Sequence, residues 1–258
     1  LLMLVSGGGS ALMSMPAPGV TLADKQVVTQ SLLRSGATIG EINCVRKHLS
    51  RIKGGRLAVA AAPAQVTTWL ISDVPGDDPS FVASGPTVAD HTTLAEARDI
   101  IKRYRIDCPE SVAGALDDPA NETPPADALG LAGGEVITLA KARDALAAAA
   151  TYAAQHGYKV TDLGDHLQAE ARHLGAGHAA LARRLATSGE ARVIISGGET
   201  TVTVTNRDGR GGRNLEYLLG LAIALDGARG ISAIACDTDG IDGTEDNAGA
   251  IVTPDTLA

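Results

Sequence analysis

Leu1-Leu2-Met3-Leu4-Val5 runs directly into Ser6-Gly7-Gly8-Gly9-Ser10-Ala11. Five apolar residues without a polar interruption read as a buried strand. Three glycines at its end allow a sharp turn that exposes consecutive backbone N–H groups. A helix starting there would add the positive end of its dipole, so the loop is read as an anion cradle, with a plain strand–helix turn as the alternative. It is neither Gly-x-Gly-x-x-Gly nor Gly-x-x-x-x-Gly-Lys-[Ser/Thr], so the dinucleotide and Walker fingerprints do not apply. A strand at residue one, with no cap and no initiator Met, predicts an interior strand of a longer chain. Ile251-Val252-Thr253-Pro254, where a further element should follow, predicts the same at the other end.

Outward from this unit, strands and helices alternate. Helices are expected over 22–35, 39–52, 94–104, 141–156, 169–187 and 214–225. Strands are expected over 66–72, 135–139, 158–163, 192–196, 200–206 and 231–236, with a Pro-rich loop over 116–130. This rhythm predicts an α/β fold with a mostly parallel sheet. A strand–turn–strand around Asp208-Gly209 departs from it, which places a boundary at 188–189: a Rossmann-like three-layer domain over 1–188 and part of a second α/β domain over 189–258.

The 258 residues carry a net charge of −8, with 30 Gly but only one Phe, one Trp and four Tyr. An acidic chain with no basic tract and almost no stacking surface is not expected to bind nucleic acid. The three cysteines (Cys44, Cys108, Cys236) lie far apart without Cys-x-x-Cys, which excludes a zinc or disulfide framework and fits the cytoplasm. No apolar run reaches the ~18–20 residues of a membrane span.

Three more constellations carry chemistry. On a helix, Asn43, Arg46, Lys47, Ser50 and Lys53 share one polar arc beside an apolar arc of Ile42, Val45, Leu49 and Ile52. Acidic partners at i+4 are missing, so a polyanionic ligand would satisfy the cations, with a solvated basic face as the alternative. His48 projects away and is read as structural. Asp73, just past the strand 66–72, can hold Mg²⁺ or accept a substrate hydroxyl, with an Asx-turn as the alternative. Finally, Gly211-Gly212 precede a helix with Arg213 in its first turn, which suits a carboxylate or phosphate. Asp237-Thr238-Asp239-Gly240-Ile241-Asp242-Gly243 lacks the Glu that a calcium loop needs at its twelfth position, where Ala248 stands, and is read instead as an Mg²⁺–nucleotide segment.

These residues, together with Arg34–Ile39, Glu41–Ser50, Lys53–Leu57, Ser72–Asp77, Ala83–Thr87, Gly197–Val202 and Gly209–Asn214, closely resemble class II glycerate 2-kinases. The last two stretches and the Asp-rich run resemble that family's MOFRL module. The resemblance implies an ATP-dependent phosphorylation of glycerate to 2-phosphoglycerate with Mg²⁺, and a homodimer as an expected assembly. It implies that Ser6, Gly7, Gly8, Gly9, Ser10, Asn43, Arg46, Lys53, Glu199 and Asn214 contact ATP. Asp73 with Asp237 or Asp239 would hold Mg²⁺, and Arg213, Lys47 and Asp73 would be catalytic. The family's amino-terminal Gly-Lys-Ala segment has no counterpart here. Leu215 stands where the family commonly has Gln, and Cys44 where it often has Ala. Homologues also carry the name hydroxypyruvate reductase, and a nucleotide-binding piece without turnover is the non-enzymatic alternative. The scarcity of aromatics predicts an aliphatic adenine pocket.

Overall fold

A computed structural model describes all residues except Pro75, Arg207, Asp208, Asp239 and Glu245. It divides into two compact units, Leu1–Lys141 and Ala142–Ala258. Both are mixed α/β with parallel strand pairs, the class that the alternation predicts.

In the first unit, β1 (Leu2–Val5) leads into the glycine loop and a single helical turn, α1 (Gly9–Leu12). Then come α2 (Leu22–Ser35), α3 (Ile39–His48), α4 (Arg56–Ala61) and β2 (Thr67–Ser72), followed by α5 (Leu94–Arg103), α6 (Glu110–Asp117) and β3 (Glu135–Lys141). The strands form a parallel sheet in the order β1-β2-β3. Val5 and Leu70 turn one face onto Val82 and Ala83. Leu2, Leu4, Trp69, Ile71, Ile137 and Leu139 remain exposed, chiefly on the opposite face.

The helices pack around Val28, Leu32, Ile42, Val45, Leu49, Leu94, Ile100 and Val112. Three of them begin with reciprocal capping boxes: Thr21 with Asp24, Thr38 with Glu41 and Thr93 with Glu96. In each, the threonine hydroxyl accepts the N3 amide and the carboxylate accepts the cap amide, which satisfies two otherwise orphaned donors. Helix α3 stops at His48, short of the expected Ile52. Ser50 bridges to Pro16 instead, and the chain turns at Gly54 and Gly55, both with positive φ. Ser50 and Lys53 therefore do not lie on the helical arc expected of them.

The second unit holds α7 (Ala142–Gln155), β4 (Lys159–Asp162), α8 (Ala171–Ala186), β5 (Arg192–Ile195), α9 (Arg213–Leu225), β6 (Ala233–Cys236) and β7 (Gly249–Val252). β4 and β5 pair in parallel, while β6 and β7 are antiparallel. Helices α8 and α9 approach closely because Gly175 lies against the Tyr217 backbone and Gly220 against that of Arg172. This packing, together with α7 on β4 and β5, joins residues 142–188 to the elements that follow them in one compact unit. The expected strand over 200–206 is reduced to one bridge, Glu170 to Thr201, and the expected turn includes Asp208, outside the described residues. Among the described residues no helix is long and apolar enough to cross a membrane.

Candidate functional site

In the first unit, parallel pairing of β1 with β2 in the register Val5 to Leu70 brings their carboxyl ends side by side. Ligands of open parallel sheets bind at such strand ends. The glycine loop and Asp73 meet there: a Cβ on Gly7 would collide with the Asp73 carboxylate, and one on Gly9 would stand 2.8 Å from Ala83 Cβ. Glycine is thus required by close approach. Ser10 shares a 2.9 Å hydrogen bond with Ser84, whose hydroxyl donates to Asn43 Oδ1. Ala83, Ser84 and Gly85 all have positive φ, so two non-glycine residues are held in the left-handed region beside the loop.

What holds this arrangement is Lys53. It is 1% exposed, and its ammonium donates to the carbonyls of Ser10 (3.0 Å) and Ala83 (3.2 Å). Gly54, Gly55 and Leu57 donate to the carbonyls of Ser84, Gly85 and Pro86, so Lys53–Leu57 runs alongside the strained turn as a brace. The glycine loop meets only one helical turn, which offers far less dipole than the helix expected from sequence.

Of the expected cationic arc, Lys47 is engaged elsewhere. Its ammonium lies 2.9 Å from Asp90, and both side chains are buried. Asp90 also accepts from the Thr92 amide and hydroxyl. Burying a lysine is costly without a counter-charge, and Asp90 supplies one to Lys47. Lys47, expected to be catalytic, is thus held in a buried ion pair. His48 bridges the Cys44 carbonyl and the Glu122 carboxylate, the structural role expected of it. Arg46 is half-buried with no ion pair among the described residues, and burial lowers its pKa.

The cation missed by sequence reasoning is Lys25. It stands with Val28 and Leu32 on the buried stripe of α2 and is 7% exposed, and its ammonium has no hydrogen-bond partner among the described residues. Burial, then the nearby charges of Lys53 and Arg46, lower its pKa to about 7. Burial and Arg46 bring Lys53 to about 8. The signal available in the sequence was a lysine at an apolar position of an otherwise regular amphipathic helix.

In the second unit, the expected anion site at the start of α9 is filled by the chain itself. Asp242, fully buried, accepts from the amides of Asn214 (3.0 Å) and Leu215 (2.8 Å) and from the Asn214 side chain. A Cβ on Gly212 would collide with Asp242. Asn214, expected at a nucleotide, takes part in this cap. Arg213 pairs with Glu199, and its other terminal nitrogen lies 3.7 Å from Asp237. These three expected site residues do come together, as one guanidinium beside two carboxylates. Asp239 lies outside the described residues.

Among the described residues no three His, Cys, Asp or Glu side chains gather as a metal cage. Mg²⁺ commonly takes one or two carboxylates and completes its shell with water and phosphate oxygens. Asp73 at the glycine loop fits that pattern, as the Lys25–Arg46–Lys53 charges fit a phosphate.

The fold matches a crystal structure of glycerate kinase from Thermotoga maritima with a TM-score of 0.80 at 38% identity, covering 98% of this chain and 60% of that one. A glycerate kinase from Macaca fascicularis is 34% identical over 306 residues, which span 99% of this chain and 75% of its own. The chain belongs to the glycerate kinase family. The family model described as a domain of unknown function (DUF4147) matches residues 1–117, and the MOFRL family model matches 192–258. On this chain, the first match contains the glycine loop, Lys25, Lys53 and Asp73, and the second contains Glu199, Arg213, Asp237 and Asp242. An Agrobacterium vitis relative, provisionally named hydroxypyruvate reductase, is 56% identical over 98% of this chain and 58% of its own length. The chain thus spans about three-fifths of the Thermotoga and Agrobacterium relatives.

Proposed function

We propose that this chain belongs to an ATP-dependent glycerate 2-kinase that makes 2-phosphoglycerate with Mg²⁺ in the cytoplasm. The observation that carries the reading is the meeting of the glycine loop and Asp73 at the carboxyl ends of β1 and β2, with Lys53 bonded to the loop at the Ser10 carbonyl and the charges of Lys53 and Arg46 reaching Lys25. Phosphoryl transfer rests mainly on positioning and on neutralising charge. The loop and the Ser10–Ser84–Asn43 hydroxyl chain would orient phosphates, while Arg46 and the remaining donor of Lys53 would neutralise them. Asp73 would hold Mg²⁺, which when bound would supply positive charge against the phosphates. Arg213, released from Glu199, would clamp the glycerate carboxylate or the moving phosphoryl group. The cysteines are free, in keeping with a reducing compartment.

The names of the Agrobacterium relatives favour a second reading, reduction of hydroxypyruvate with a nicotinamide cofactor. The loop lacks the dinucleotide fingerprint. ADP release with glycerate and MgATP, measured beside NADH oxidation with hydroxypyruvate on the full-length protein, separates the two. NADH oxidation without ADP release would sink the kinase reading. Asp73→Asn should weaken the response to Mg²⁺, and an unchanged Mg²⁺ dependence would remove Asp73 from the metal site.

A further inference from the structure

We propose that Lys25, with Arg46 and Lys53, forms a binding site for a phosphate group. The proposal deepens the kinase reading, which supplies its biological ligand, but it rests on a separate observation: a buried ammonium with nothing to bond to. Lys25 projects from α2 into the region that α3 and the turn after it close with Arg46 and Lys53, and its Nζ has no partner among the described residues. The charges that reach it there are both positive.

Neighbouring cations are satisfied in other ways. Lys47 has Asp90, His48 has Glu122, and Arg56 donates to the carbonyls of Asn121 and Glu122. Carboxylates thus pair with Lys47 and His48 in this part of the fold, whereas among the described residues none pairs with Lys25. Three like charges held in a poorly solvated region repel one another, and an unpaired buried charge is the least favourable arrangement of all.

A single carboxylate would neutralise one of the three charges. A phosphate dianion neutralises two and presents tetrahedral oxygens to several donors at once: all of Lys25 Nζ, the Arg46 guanidinium, and the one N–H of Lys53 that remains after Ser10 and Ala83. Lys53 also ties the site to the glycine loop, so a phosphate there would sit beside the Ser10–Ser84–Asn43 chain.

The test is calorimetric titration of the 258-residue chain with inorganic phosphate, and of its Lys25→Met and Arg46→Met variants, each checked by circular dichroism. One saturable phosphate site is expected in the parent, with Kd at least about tenfold higher in each variant. Acetate at equal ionic strength should not compete. ATP that displaces phosphate identifies a nucleotide phosphate as the source, whereas 2-phosphoglycerate that displaces it when ATP does not identifies the product; either outcome supports the site. No saturable binding by the parent, or phosphate affinity indifferent to Lys25, overturns it. The kinase reading fails separately: phosphate binding that depends on Lys25 in a full-length protein without glycerate turnover keeps this site and removes that reading. Turnover in a protein whose phosphate affinity ignores Lys25 does the reverse.

Discussion

Replacing Lys25 with methionine should stabilise the protein, and by an amount set by pH. The ammonium is 7% exposed and without a partner among the described residues, and its pKa falls from an ordinary 10.5 to about 7. At about 1.4 kcal/mol per pH unit, keeping the amine protonated in the fold costs on the order of 5 kcal/mol as an upper bound. Local relaxation and water entry reduce this, so Lys25→Met should gain about 2–4 kcal/mol at pH 6, since methionine keeps the unbranched stem and drops the charge.

The sign follows from proton counting. Between pH 7 and 10.5 the unfolded chain holds the Lys25 proton and the folded chain has released it, so the parent gains stability as pH rises. Below pH 7 both states are protonated and the full penalty stands. The advantage of methionine should therefore be greatest at pH 6 and shrink by at most about 1.4 kcal/mol per unit from pH 7 towards 10. Lys53 titrates in the same window but is present in both proteins, so its contribution largely cancels. The assay is urea unfolding at several pH values in phosphate-free buffer, followed by the fluorescence of Trp69, which lies in β2 and reports on the first unit. A variant less stable than the parent at pH 6, or a difference that does not change with pH, would refute the assignment of a buried, unpaired amine.

Other outcomes can be checked directly. Asp242→Ala should destabilise the second unit by about 2–4 kcal/mol, because two amides at the start of α9 lose a buried charged acceptor; amide hydrogen exchange at Asn214 and Leu215 reads this, and unchanged protection would contradict the cap. Gly7→Ala drives a Cβ into the Asp73 carboxylate, so glycerate-dependent ADP release should fall at least tenfold while secondary structure by circular dichroism is retained; full activity would show that the close approach is dispensable. Trp69 is the sole tryptophan and 40% exposed on the open sheet face, so its emission should be readily quenched by acrylamide in this chain. A blue-shifted, protected emission would mean that face is covered.

Much of the site was legible because its logic is local. A strand ending in three glycines, and another ending in Ser72-Asp73, each announce a strand end, and parallel pairing then makes them neighbours. The alternation of strands and helices was legible for the same reason, since side-chain periodicity is read over a few residues. What escaped were partnerships across long stretches of chain. Lys47 finds Asp90 43 residues away, and Asn214 finds Asp242 28 residues away. Each holds an expected site residue in an internal bond. The end of α3 escaped because Ser50 joins Pro16, a contact absent from any window around the helix.

By itself the sequence determined the α/β class, the strand-end loops and the supply of cations, because composition and short-range pattern decide what each segment can form. Tertiary structure alone decided which charges are satisfied. Charge pairing depends on distance in space, and solvent exclusion sets its strength. The same lysine is a structural ion pair at position 47, a brace at 53 and an unanswered charge at 25.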